Sequence, residues 1–169
     1  QLKDKTALIT GANRGIGAGV ARAFAAEGAA VAINYPNAAS ADEANALCAE
    51  IEAAGAKAIA VEGDVTEEKV VEAMVAQAIA GLGRIDILVN NAGIAHAAPV
   101  EDIPVDMWDK VFAVHVRGTF LTCKHTLRHM YERSSGRIIN TTSQLAYLGA
   151  AGFAHYTAAK GALVTFTRT

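Results

Sequence analysis

The chain of 169 residues is poor in cysteine (two), proline (three) and tryptophan (one), and no run of it carries charge of a single sign. Each scarcity excludes something. Cys48 and Cys123 form no C-x-x-C pair and fall in helical patterns, which predicts buried or idle thiols rather than a disulfide or metal site and fits a reduced, cytoplasmic setting. Fifteen Lys and Arg residues against seventeen Asp and Glu leave a formal charge of -2 without a basic block, which excludes nucleic acid and anionic membrane as expected partners. No apolar stretch reaches the ~20 residues needed to cross a bilayer. The first residues, QLKDKTALIT, carry no signal-peptide pattern, which a processed terminus would also lack. His125 and His129 stand four apart, but with no H-E-x-x-H context and no third ligand they predict a solvated helix face, not a metal centre.

What is present is alternation. Apolar, β-favouring runs at 6–10, 30–34, 56–61, 85–89 and 136–142 alternate with helical patterns at 16–27, 41–54, 67–81 and, after a broken stretch, 105–131. Strands separated by helices imply parallel pairing with crossovers, and nearly continuous apolar strands imply helices on both sheet faces. Pro36, Pro99 and Pro104 fall at the predicted breaks. No repeat or linker divides residues 1–169, so a single doubly wound α/β domain of the dinucleotide-binding, Rossmann type is predicted.

The sequence TGANRGIG, residues 10–17, follows the first predicted strand and opens the first predicted helix. In that context Gly11 permits a tight turn, Gly15 lets a pyrophosphate approach the backbone, and Gly17 lets the helix pack closely on the strand. The helix N-terminus then turns its free N–H groups and positive dipole end toward the phosphates. The spacing differs from the common G-x-G-x-x-G, with three residues between the first two glycines.

Near the other end, Tyr156 and Lys160 stand four apart in a helical pattern, and Ser143 lies thirteen residues before the tyrosine, closing the run GRIINTTS. Positions i and i+4 share a helix face, so phenol and ammonium point the same way. A phenol keeps its proton to about pH 10, and a neighbouring cation favours the phenolate. A serine hydroxyl arriving from a strand end can hydrogen-bond a carbonyl or alcohol oxygen. Together they outline a proton-transfer site.

The glycine motif, NNAG at residues 90–93, Ser143, and the Tyr156–Lys160 pair occur in the order and approximate spacing of the short-chain dehydrogenase/reductase family, which the chain resembles over essentially its whole length. VAINYPNA, GDV and WDKVFAVHVRGTFL are most similar to bacterial ketoacyl-carrier-protein reductases and glucose dehydrogenase-like members. The resemblance implies an oxidoreductase that moves a hydride between a nicotinamide and a ketone or secondary alcohol, with Tyr156 as acid/base. Lys160 would hold the nicotinamide ribose and favour the phenolate, and Ser143 would polarise the substrate oxygen. Gly11, Asn13, Arg14, Gly15, Ile16 and Gly17 would cradle the cofactor, Asn34 and Tyr35 would follow the second strand toward the ribose, Asp64 and Val65 would border the adenine, and Asn91, Ala92 and Gly93 would line the adenosine ribose and neighbouring backbone.

Where the family has an asparagine in a pattern like N-L-x-G-x-F, this chain has His115 in HVRGTF. Two readings stand open: an imidazole titrating near neutrality that holds a water in a proton relay, or a buried histidine that fills space and satisfies one carbonyl. No acid follows the second strand to repel a 2′-phosphate and Arg14 stands in the glycine turn, so NADP(H) is favoured, with NAD(H) the alternative. His96, Gln144, Tyr147, Phe153 and His155 are candidates for the substrate pocket, Phe153 as an apolar wall, and Trp108 is read as a packing residue. The resemblance also implies a homo-oligomer, dimer or tetramer, and further C-terminal strands beyond Thr169, so that residues 1–169 are expected to be part of a longer chain. A nucleotide-binding module without useful turnover is the competing reading, and the histidine at position 115 favours it.

Overall fold

The computed structural model describes Gln1–Thr169. Five strands, β1 (Thr6–Ile9), β2 (Ala30–Tyr35), β3 (Ala58–Glu62), β4 (Ile87–Asn90) and β5 (Arg137–Asn140), form one parallel sheet in the order β3-β2-β1-β4-β5. The strand runs predicted from the sequence are all present, with ends that differ by at most two residues. Helices α1 (Gly15–Ala26), α2 (Ala41–Ala53) and α3 (Glu68–Leu82) connect the first four strands.

Side-chain alternation along the strands assigns the two faces. Ala7, Ile9, Val31, Ile33, Ile87 and Val89 pack with Ala18, Ala21, Leu47 and Ile51 of α1 and α2. Their neighbours Leu8, Ala32 and Leu88 point the other way, onto Val71, Met74, Val75, Leu121 and Met130. Both faces are covered, which is why β1 and β4 are wholly buried and could be written in nearly unbroken apolar residues. The alanines of α1 keep that helix close to the sheet. Gly83, at φ 87, ends α3 in the left-handed conformation that glycine adopts without penalty.

The stretch read as one helix over 105–131 is one continuous helical rod with a defect in it. α4 (Val105–Phe112) passes into a π-helical turn at Ala113–Arg117 and then into α5 (Gly118–Glu132). The backbone keeps right-handed helical angles at Phe112, Ala113, Arg117 and Gly118, so the widened turn does not break the rod. Pro104 precedes α4, where its missing N–H costs no helical bond.

After β5 come a single turn, α6 (Leu145–Leu148), which the sequence reading did not separate, and α7 (Ala154–Thr167). β5 is one edge of the sheet, opposite β3, and Ile139 on it is 46% exposed. At the amino ends of the strands, buried Asp86 gathers Arg133 at 2.7 Å, Arg84 at 2.9 Å and the Thr6 N–H at 3.0 Å. Burial pushes its carboxyl up, but those bonds together outweigh burial and hold it down at about 2.

Candidate active site

The strand order reverses between β1 and β4, and doubly wound sheets take ligands in the crevice at the carboxyl ends of the strands flanking such a switch point. Gly11, directly beyond β1, has φ +59, and a Cβ there would lie 2.9 Å from the Ala92 Cα of the NNAG segment. A Cβ on Gly17 would come within 2.6 Å of both Asn91 Nδ2 and Gly11 O. Gly15 is different: φ is +59, but an added Cβ would meet nothing within 4 Å. No side chain caps the start of α1 at Arg14, and Ile16 beside it is 71% exposed. An open glycine next to an uncapped helix N-terminus fits the phosphates of a dinucleotide.

The other residues expected to hold a cofactor divide into those that build the crevice and those that face it. Asn34 is buried beneath the turn: its Oδ1 accepts from Gly11 N at 3.1 Å, and its Nδ2 donates to Gly63 O at 2.9 Å and Val61 O at 3.3 Å. Its side chain therefore ties β1, β2 and the end of β3 together, and Tyr35, half-buried, is the last residue of β2. Asn91 works similarly, donating to Thr10 O at 3.0 Å and Gly11 O at 3.1 Å, while the N–H groups of Asn91 and Ala92 donate to Thr10 Oγ1 at 3.0 and 3.1 Å. Thr10 was not singled out in the sequence, yet its hydroxyl joins the two halves of the site. Val65 is buried against α5, where a Cβ on Gly118 would be 2.8 Å from Val65 Cγ2. Asp64 is exposed and accepts from Thr66 N at 2.9 Å. Asn13 is buried and donates to Glu43 Oε2 at 2.5 Å, whereas Arg14 and Gly93 are exposed.

α7 presents Tyr156 and Lys160 on one face, with Lys160 Nζ 5.7 Å from the centroid of the phenol ring. The amine is 4% exposed and donates to Thr141 O at 2.7 Å, while Thr142 Oγ1 donates to Lys160 O at 3.0 Å. These two bonds fasten α7 to the end of β5 and fix the lysine, a role for Thr141 and Thr142 that no local pattern announces. Burial pulls the Lys160 amine down to about 8. Ser143 follows directly; its Oγ accepts from Leu145 N at 3.2 Å, and the hydroxyl proton remains available to a substrate oxygen.

His115 lies inside the π-helical turn and is 1% exposed. Its Nε2 is 2.8 Å from Ile94 O and 3.1 Å from Ile94 N; the shorter contact assigns the proton to Nε2 as donor and leaves Nδ1 a buried acceptor without a partner. Burial, aided by the Lys160 charge, holds the imidazole down at about 4, against the backbone bond. The expectation that this ring titrates near neutrality is therefore corrected: desolvation keeps it neutral there. A Cβ on Gly93 would sit 2.5 Å from His115 Cε1, so the last glycine of NNAG makes room for the ring.

Of the pocket candidates, His96 and His155 meet edge to face at 5.9 Å, and Phe153 lies 6.3 Å from the Tyr156 ring. His155 is fully buried, and burial with His96 beside it lowers its pKa. Gln144 is exposed and Tyr147 is 68% exposed. Trp108 stacks on Phe112 at 5.1 Å. His125 lies 3.7 Å from Glu68, and no group of three or more His, Cys, Asp or Glu side chains is placed to hold a metal ion. A broad concavity lined by Asp4, Arg22, Glu50 and Arg84 lies at the amino ends of the strands; it contains neither the glycine turn nor Ser143, Tyr156 or Lys160 and is not the site.

A sequence model of the family described as short chain dehydrogenase matches residues 5–169. The 3-oxoacyl-[acyl-carrier-protein] reductase of Synechocystis sp. is 40% identical over 168 residues, covering 99% of this chain and 67% of that protein. Versicolorin reductase stcU of Emericella nidulans is 40% identical over 169 residues, covering 99% of this chain and 62% of that protein. The chain thus spans 62 to 67% of the length of these two curated relatives. Among solved structures, a blue fluorescent protein from a metagenomic library in complex with NADPH superposes with a TM-score of 0.88 at 40% identity, over 98% of this chain and 66% of that one. A dehydrogenase/reductase from Sinorhizobium meliloti superposes with a TM-score of 0.91 at 41% identity, over 98% and 65%.

Proposed function

The chain belongs to the short chain dehydrogenase family, and from that premise we propose that the protein is an oxidoreductase exchanging a hydride between a nicotinamide cofactor and a ketone or secondary alcohol. The observation that carries the reading is the pairing of Tyr156 with a buried, backbone-anchored Lys160, beside Ser143, at the carboxyl end of a sheet whose other half carries an open glycine turn. The cofactor supplies or accepts the hydride; the residues of this chain manage the proton and the geometry.

In the reducing direction Tyr156 gives its phenolic proton to the substrate oxygen while Ser143 donates a hydrogen bond to the same oxygen, so that no free alkoxide forms. In the oxidising direction the phenolate takes that proton back. Lys160 makes the phenolate tolerable, because a cation in a site with little water interacts strongly with a nearby anion. Neutral His115 acts as a hydrogen-bonding wedge that fixes the Ile94 backbone and the π-helical turn behind Tyr156, and offers Nδ1 as an acceptor for a water. Phe153 supplies an apolar wall and half-buried His96 a polar one, with fully buried His155 edge-on to it.

NADP(H) is the favoured cofactor, supported by exposed Arg14 in the glycine turn and by the NADPH bound to one solved relative. Assembly into a dimer or tetramer would cover Val105, Trp108 and Phe120, which are 77, 37 and 48% exposed. The reading is tested by mixing the protein with each cofactor and a panel of ketones and secondary alcohols while following nicotinamide absorbance. Substrate-dependent change supports it. Tight cofactor binding without turnover across the panel would favour a nucleotide-binding module instead.

A further inference from the structure

The end of β2 offers no carboxylate to the adenosine ribose, since Asn34 is turned inward and Tyr35 follows it. A carboxylate nevertheless reaches the crevice from elsewhere. Glu43, in the first turn of α2, accepts a hydrogen bond from the side chain of Asn13, and Asn13 lies in the glycine turn between Gly11 and Arg14. The turn is itself pinned to the end of β2 by the Gly11–Asn34 bond at 3.1 Å. The Asn13 bond therefore brings the Glu43 carboxylate to the glycine turn, which the Gly11 bond ties to the end of β2, the region in which doubly wound folds distinguish a ribose 2′-hydroxyl from a 2′-phosphate.

We infer that Glu43 is a cofactor-discriminating residue: held by Asn13, it supplies from α2 the negative charge that β2 lacks, opposes the Arg14 cation at the 2′ position, and reduces the preference for NADP(H) over NAD(H). The inference rests on the nicotinamide-dependent reading above. Two features favour it over a purely local helix-start contact. Asn13 is only 9% exposed, so its amide is a fixed donor and places the carboxylate rather than following it. The neighbouring acid in that first turn, Asp42, serves the helix dipole equally well without any bond to the glycine turn. With Arg14 in the turn and Glu43 tethered to it through Asn13, the added 2′-phosphate would meet one attraction and one repulsion, and the net preference would be smaller than Arg14 alone would set.

The test is the equilibrium affinity of NADPH and NADH, read by reduced-nicotinamide fluorescence, for the unsubstituted protein and for Glu43→Gln. Gln keeps an amide oxygen for Asn13 and removes only the charge. Tighter NADPH binding, on the order of fivefold, with a much smaller change for NADH is expected, because a like charge has been taken from beside the phosphate alone. The NADPH-to-NADH affinity ratio of the unsubstituted protein should also respond to KCl differently from that of the variant, since salt screens the repulsion only where it exists. Equal changes for both cofactors, or none, would overturn the inference and leave the oxidoreductase reading standing. Failure of the unsubstituted protein to bind either cofactor would remove that reading and the inference with it.

Discussion

The imidazole of His115 stands edge-on to the phenol of Tyr156, with ring centroids 5.4 Å apart and planes at 90°. Edge-to-face contact puts the positive rim of one ring on the negative face of the other and fixes both orientations. A histidine buried so deeply, with the Lys160 charge as a second unfavourable influence, resists protonation.

That resistance has a consequence for stability. Protonation of His115 is held down to about 4 in the folded chain, against 6.5 for an ordinary histidine. Between those values the unfolded state binds the extra proton and the folded state does not, so the contribution is complete above pH 6.5 and declines as pH falls toward 4. The full difference corresponds to about 3 kcal/mol. Urea denaturation across this range should show a decline in the native protein that is clearly smaller in His115→Asn, in which only the likewise lowered His155 still contributes. Parallel declines would contradict the burial argument.

Gly17 gives a prediction decided by magnitude. Alanine in a helix interior is favoured over glycine by up to ~1 kcal/mol. Here its methyl would meet Asn91 Nδ2 and Gly11 O at 2.6 Å and Ala12 Cα at 2.8 Å, and backbone atoms cannot give way cheaply. Overpacking of this kind costs ~1–3 kcal/mol, so Gly17→Ala should destabilise and weaken cofactor binding together. Unchanged stability in a denaturant melt would show that α1 can shift away from the turn.

The glycine turn was legible before the structure because its demands are local: three glycines, each at a place where a Cβ clashes, strains the backbone or blocks an approach. The strands were legible for a related reason, since double-sided burial writes them as apolar runs. The π-helical turn at 113–117 was not, because one extra residue in a helical rod leaves the apolar periodicity almost intact, and only the family pattern drew attention to His115. Asn34 and Glu43 show the remaining limit. One looked like a cofactor contact and serves the backbone of Gly11, Val61 and Gly63; the other stood in no motif and reaches Asn13, thirty residues away in sequence. Bonds between residues distant in sequence leave no local pattern.

Arg14 yields a cofactor prediction. Its side chain is exposed in the turn, free to meet a 2′-phosphate. Arg14→Ala should weaken NADP(H) on the order of tenfold while weakening NAD(H) much less, because the lost attraction acts on the phosphate. Titration of both cofactors against both proteins checks this, and equal losses would remove Arg14 from phosphate recognition.

The most direct measurement of the central claim is turnover by Tyr156→Phe, made on a substrate that the unsubstituted protein has been shown to reduce or oxidise. The substitution keeps the ring against His115 and Phe153 and below Lys160, and removes only the oxygen that carries the proton. A fall in kcat of about 10²–10⁴-fold is predicted, the range attributable to a general acid/base, with cofactor affinity nearly unchanged. A Phe variant that retained most of its kcat would contradict the assignment of Tyr156 as the proton carrier.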